Sequence, residues 1–326
     1  MKLSRRIRNF LDSSSVILRP SSTLAFLLAI TCLFLALPRL RAQKGNEKTF
    51  SSPGTAVLAL YDAAKTNDQA ALSEILGNSA GALLHTGDDV ADKNMVQNFL
   101  RRYEQMHRVV IEPDGTATLY IGAENWPFPV SIVKNSSGAW YFDAENGKQE
   151  ILFRRVGANE NHTIETCEAL VDAQHEYAAN LRSGESSRHY AMKFLSDPGK
   201  QNGLFWKSTE GEPLSPIGPL IVQAAAEGYT AKQGQPIPYH GYYYRILTKQ
   251  GSAARGGSEN YLAKGKLVRG FAFLAYPAQY KNSGVMTFLV NQDGIVFEKD
   301  LGPETQRVAT SMTAYNPDSS WEVVER

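Results

Sequence analysis

Between residues 53 and 66, apolar side chains recur at Ala56, Val57, Leu60, Ala63 and Ala64, the spacing of one helical face. Ser51-Ser52-Pro53 supplies a polar helix start and a proline tolerated in a first turn. The pattern predicts a helix over 53–66, a second short helix capped by Asp68 and running to Leu76, and a third over 88–106 carrying Met95, Phe99, Tyr103 and Met106. The period then falls to two, predicting strands over 109–112, 116–122, 128–134 and 139–143. Turn chemistry at Pro113-Asp114-Gly115, Asn125-Trp126-Pro127 and Asn135-Ser136-Ser137-Gly138 separates them.

A second helical pattern occupies 147–182, where Ile151, Val156, Ile164, Cys167, Leu170, Val171, Gln174, Tyr177, Ala178 and Leu181 recur at three and four residues. Gly157 and Asn159-Glu160-Asn161 bring helix-breaking chemistry into the stripe, which places a domain junction at 157–162 and leaves open whether the helix is continuous through it. The Gly- and Pro-rich stretch 183–238 reads as a long ordered loop with one short helix over 220–227. Strands return over 241–249, 267–276, 285–291 and 295–299, the last two joined by the hairpin turn Gln292-Asp293-Gly294. A short helix and a closing segment with Trp321, Val323 and Val324 fill 305–326. The expected class is α+β: a helical N-terminal segment with a cone-like antiparallel meander over 53–157, then a long helix with a pilin-like antiparallel four-stranded meander over 158–326.

The first 42 residues change the picture of where the chain works. Residues 1–19 carry Lys2, Arg5, Arg6, Arg8 and Arg19 against Asp12 alone, and a 14-residue apolar run follows from Leu24 to Leu37. This is the layout of an export signal, with Leu40-Arg41-Ala42 before the cut and a polar tether over 43–52. The run is short of the roughly 20 residues of a bilayer span; retention as an uncleaved anchor is the alternative. Thr31 before Cys32 departs from a lipoprotein signal, and Ile7-Arg8 departs from a twin-arginine one. Without residues 1–42 the chain holds 27 basic and 32 acidic residues, a net charge of −5. Lacking any basic cluster, it is expected to bind no nucleic acid. Cys167 is then the one cysteine, so no internal disulfide is available. The expected location is the periplasm or cell envelope.

Several ordered motifs carry a resemblance. Val171-Asp172-Ala173-Gln174-His175-Glu176-Tyr177-Ala178, Tyr190-Ala191-Met192-Lys193-Phe194 and Ser196-Asp197-Pro198-Gly199-Lys200 are followed by Gly203-Leu204-Phe205-Trp206 and by Tyr239-His240-Gly241-Tyr242-Tyr243-Tyr244-Arg245. Gly284-Val285-Met286-Thr287-Phe288, Asp293-Gly294-Ile295-Val296-Phe297 and Tyr315-Asn316-Pro317-Asp318 continue the series. In these the chain resembles the exported bacterial proteins grouped as domain of unknown function 2950, which implies location and architecture but no chemistry. Ser183-Gly184-Glu185-Ser186-Ser187 stands where that family commonly has an Asp/Gly-rich turn, so no ion site is carried over. At the level of fold alone, the first half resembles nuclear-transport-factor-2-like domains, and the second the globular part of type IV pilins. The pilin-like helix has no apolar N-terminal half to embed or polymerise, so no filament is expected.

Candidate chemistry is sparse. His240 precedes the strand Tyr242-Tyr243-Tyr244-Arg245 and has the chemistry of a general base or a ligand contact. Asp172, His175 and Glu176 have a spacing compatible with a metal, but salt-bridged or solvated helix residues are the commoner outcome. No His-Glu-x-x-His, Gly-x-Ser-x-Gly or phosphate-cradling glycine motif is present, and no cofactor is expected. Aromatic residues with polar tips suit a protein or glycan surface, which nominates His240, Tyr242, Tyr243, Tyr244, Arg245 and Trp206 as binding residues. The expectation is a non-catalytic envelope protein with a protein or glycan partner. The alternatives are a periplasmic hydrolase with a His/carboxylate site and a structural accessory subunit.

Overall fold

The computed structural model describes residues 47–181, 186–208, 211, 213–230 and 236–325. The export signal, the cleavage site and most of the tether lie outside these residues, as does most of the Ser183–Ser187 turn. Among the described residues, no helix is long and apolar enough to cross a membrane.

Helix α1 (Pro53–Lys65) starts from a capping box: Thr55 N–H donates to Ser52 Oγ at 3.1 Å, and Ser52 N–H donates to Thr55 Oγ1 at 3.2 Å. It buries the stripe that the spacing predicts. Helix α2 (Gln69–Leu76) is capped by Asp68, whose Oδ1 accepts from Ala71 N–H at 2.9 Å. Helix α3 (Ala80–Leu84) follows a short 3-10 turn and lay outside the sequence expectation. Helix α4 (Asp89–Gln105) is capped by Asp88 and carries Asp89 and Asp92 in its first turn, where the helix dipole favours negative charge. Four helices thus stand where the sequence pattern predicts three.

The first sheet runs β1 (His107–Ile111), β2 (Ala117–Ile121), β4 (Ile132–Lys134) and β5 (Trp140–Phe142) in antiparallel order. β3 (Trp126–Pro127) also pairs with β2, at a point the sequence reads as a turn. Strand β2 alternates, burying Ala117, Leu119 and Ile121 toward the helices. Each large aliphatic side chain enclosed in this way contributes about 1.5–3 kcal/mol.

Helix α5 (Ala144–Ala179) is continuous over 36 residues, about 54 Å at 1.5 Å per residue. The helix runs unbroken through residues 157–162. Gly157 faces open space and costs a helix only about 1 kcal/mol relative to alanine. The polar residues beside it meet backbone rather than solvent. Asn159 Nδ2 donates to Ser283 O at 2.8 Å, and the buried Glu160 carboxylate accepts from Val285 and Met286 N–H at 3.0 and 2.9 Å. One turn earlier, Arg155 donates to the carbonyls of Ala82 and Leu83 at the end of α3, and to Asn282 Oδ1 at 2.6 Å. Ala144 and Ile151 belong to the first hydrophobic core, and Cys167, Leu170, Val171 and Tyr177 to the second.

The second half contains α6 (Gly218–Ala226) and a five-stranded antiparallel sheet. Its members are β6 (Tyr242–Leu247), β11 (Ala272–Pro277), β12 (Met286–Asn291), β13 (Phe297–Asp300) and β14 (Glu322–Val323), in the order β14-β13-β12-β11-β6. Four two-residue strands, β7 (Lys249–Gln250), β8 (Glu259–Asn260), β9 (Leu262–Ala263) and β10 (Lys266–Leu267), form two small ribbons, and α7 (Thr305–Ser311) follows β13. β11 is buried on both faces, with α5 and α7 both in contact with it. The space at Gly284 is fixed by packing, because a Cβ there would collide with the ring and hydroxyl of Tyr242.

Candidate functional site

Tyr239-His240-Gly241-Tyr242 is a two-residue hairpin. Tyr239 and Tyr242 exchange both backbone hydrogen bonds, at 2.8 and 3.1 Å, and His240 (φ 48°) and Gly241 (φ 74°) both occupy the left-handed region that tight hairpins require. The turn sets the first residue of β6 in the core and His240 at the boundary between the two halves. His240 Nε2 lies 3.1 Å from Glu227 Oε2 at the end of α6, and its ring stacks on His162 of α5 with centroids 4.4 Å apart. Burial, and then the neighbouring His162, lower the imidazole pKa from its ordinary value. Among the described residues, no serine or threonine hydroxyl hydrogen-bonds the His240 ring.

Beneath this turn lies Asp88, which is 1 % exposed. Its Oδ1 caps α4 by accepting from Ala91 N–H at 3.0 Å. Its Oδ2 accepts from Tyr229 OH at 2.8 Å and Gly241 N–H at 2.9 Å. Asn94 Nδ2 of α4 donates to Glu227 O at 2.8 Å, so the C-terminal end of α6 is tied to the first half twice. Burial and the adjacent carboxylate hold the Tyr229 phenol well above its ordinary pKa, keeping it a neutral donor.

These ties hold α6 away from the sheet and leave a cavity of about 500 Å³. Its walls are α5 (Thr166, Leu170), α6 (Ile221, Ala224), the segment around Phe194 and the 236–239 arm; Tyr243 and Tyr244 of β6 form its floor. The lining is predominantly aliphatic and aromatic. At the rim, Lys193 Nζ meets Asp197 Oδ1 at 2.8 Å. The Asn202 side chain and then Lys193 hold the Asp197 carboxyl below the usual carboxylate range. Burial, and then Glu227, push the Tyr239 phenol up to about 12. Tyr244 OH donates to Thr163 Oγ1 at 3.3 Å.

The six residues nominated from the sequence separate into three groups. Tyr243 and Tyr244 come together in the cavity, and His240 sits beside it. Tyr242, fully buried, donates to Met286 O at 3.0 Å and belongs to the core. Trp206 is also buried, its Nε1 donating to Pro213 O at 3.0 Å. Arg245 anchors α7 through Ala309 O and Thr310 O at 2.8 and 3.0 Å. The exposed aromatic face expected of β6 is therefore a half-enclosed hollow, because α6 and the 236–239 arm cover it. Asp88, Tyr229, His162 and Glu227 were not nominated from the sequence; helix-start chemistry at Asp88 was its one visible signal. Asp172, His175 and Glu176 form no metal group, since among the described residues no cluster of three or more His, Cys, Asp or Glu is placed to hold an ion.

No curated protein and no solved structure matches the chain. A family model does, over residues 47–324, and its description is Protein of unknown function (DUF2950). That span takes in both sheets, helix α5 and every residue of the cavity, and it agrees with the motifs that run from Val171 to Asp318: the chain belongs to the DUF2950 family.

Proposed function

We propose that this protein is an exported, non-catalytic binding module of the cell envelope, and that its site is the cavity between α5, α6 and β6. The observation that carries the proposal is the cavity itself: about 500 Å³, within the size range of ligand pockets, with an apolar wall and a few polar groups at its edge. The lining favours the apolar part of a protein partner over a glycan, because sugar hydroxyls buried against Leu, Ile and Pro would lose hydrogen bonds to water without replacement. The location in the envelope rests on the charged and apolar segments of residues 1–42.

Titrating the full chain with the apolar fluorophore anilinonaphthalene sulfonate tests this reading. Binding at one saturable site is expected, lost in Ala224→Trp, which fills the hollow from the half-buried side of α6. Non-saturable binding, or binding indifferent to that change in a variant that melts like the parent, overturns it.

The hydrolase reading draws support from one contact, His240 Nε2 to Glu227 Oε2 at 3.1 Å. Turnover of p-nitrophenyl esters that disappears in His240→Asn would sustain it, because asparagine tolerates the left-handed backbone of that turn. Absent turnover, or turnover untouched by the change, sinks it.

A further inference from the structure

Strand β6 is an edge of the second sheet. Its hydrogen-bonding phase follows from its two ends. Tyr242 exchanges both backbone bonds with Tyr239, so its N–H and C=O point away from β11, and the residue opposite it in β11 is Pro277, which has no N–H to offer. At the far end Thr248 O accepts from Tyr261 N–H at 3.0 Å, in the same outward phase. The alternation therefore turns the N–H and C=O of Tyr244 and Ile246 outward as well. Among the described residues, nothing hydrogen-bonds to those four groups, although both residues are half-buried.

A partner strand is nearly supplied by the chain itself. Continuing the register of the Tyr239/Tyr242 pair would set Ile237 opposite Tyr244, but those bonds are not made. The arm instead leaves β6 after the hairpin, and the cavity opens between the two, with Ile237 on one side and Tyr244 on the other. Pro236 and Pro238 fix φ on either side of Ile237, and the residue preceding a proline is confined to extended conformations, so the arm is stiff. The rim charges, Lys193 and Asp197, already satisfy each other and call for no net charge in an occupant.

An acyl chain or a small apolar molecule would fill the hollow and leave the strand edge unpaired. A polypeptide satisfies both at once. We propose that an extended, uncharged polypeptide segment with alternating apolar side chains enters between the 236–239 arm and β6. It joins the sheet as an added strand through the N–H and C=O of Tyr244 and Ile246, and sets an apolar side chain in the cavity. The open run of β6, Tyr243 to Leu247, matches an occupant of about five residues at roughly 3.3 Å each. This assignment rests on the cavity being a binding site, as proposed above, and names its occupant.

The experiment screens the full chain against a displayed library of random nonapeptides, with Ala224→Trp as counter-selection and anilinonaphthalene sulfonate as an independent probe of the hollow. Enriched peptides should alternate apolar residues. Their binding should slow hydrogen exchange at the Tyr244 and Ile246 amides at least tenfold, whereas the fluorophore should leave those amides unchanged. N-methylating one alternate set of peptide amides should weaken binding at least tenfold and methylating the other set should not, a contrast that needs no protein variant. Enriched peptides that protect neither amide, or that bind regardless of N-methylation, overturn strand addition while the cavity reading stands. Fluorophore binding with no enriched peptide does the same and points to a non-peptide occupant. Failure of both probes removes the cavity reading as well.

Discussion

Among the described residues, an apolar hollow in the first half and one in the second differ in kind. The first half holds about 90 Å³ among α1, α2, α3, α4, the 128–130 segment and Ile151 of α5, walled by Leu60, Leu72, Met95, Phe99 and other apolar side chains. The second half holds about 500 Å³, and its walls include tyrosines whose hydroxyls find partners outside the hollow, a paired Lys and Asp, and an open strand edge. The smaller hollow is a packing imperfection of a core: it offers an occupant no hydrogen bond and is lined by apolar residues that stabilise the fold. The larger is kept open by contacts placed around it, above all the Asp88 carboxylate that ties α4, Tyr229 and the His240 turn together. A hollow maintained by polar struts, rather than left between apolar side chains, is the one with the architecture of a site.

That contrast can be broken from either side. The largest effect is expected at the small hollow, where Leu72→Ala removes a side chain that is 2 % exposed and should destabilise the protein by about 3 kcal/mol, read by chemical denaturation. Fluorophore affinity at the large hollow should be unchanged under native conditions; a parallel loss of affinity would mean the two are not separate. Asp88→Ala should cost about 2 kcal/mol, combining a lost helix cap with two donors left without their acceptor. Unlike Leu72→Ala, it should also weaken fluorophore binding, because the end of α6 is released.

The smallest effect is a pH dependence. The His240 ring faces Glu227 from α6, His162 and Glu165 from α5, Asp88 from the start of α4, and Tyr239 from its own turn. Its folded pKa lies below the ordinary 6.5, chiefly through burial. As pH falls through 6.5 the unfolded chain takes up a proton that the folded ring still refuses, so stability is full above 6.5 and declines below it. His240→Asn should flatten that decline in thermal melts between pH 7 and pH 5, and an unchanged slope would remove His240 from the account.

Most elements were legible in the sequence because they are local. The helical stripe of α1 and the two-residue alternation of β2 declare themselves within about a dozen residues. The strut around Asp88 was not, since its partners Tyr229 and Gly241 lie 141 and 153 positions away, and a single buried carboxylate leaves no periodic trace. The same distance hides the continuity of α5. Asn159 and Glu160 look like a break because they are polar, yet the backbone groups that answer them lie 124 and 125 residues downstream. Tyr242, Tyr243 and Tyr244 were recognisable as an aromatic strand, but which of them lines the cavity depends on α6 and the 236–239 arm, neither of which β6 itself encodes.

Helix α5 carries one further consequence. It enters the first core at Ala144 and leaves the second at Tyr177, so neither half owns all of its own walls. Opening one core strips support from the helix that closes the other, and Arg155, Asn159 and Glu160 stitch its middle to loops of both halves. The rod turns two cores into a single cooperative unit. Chemical denaturation should therefore show one transition for both halves, whichever core a substitution weakens.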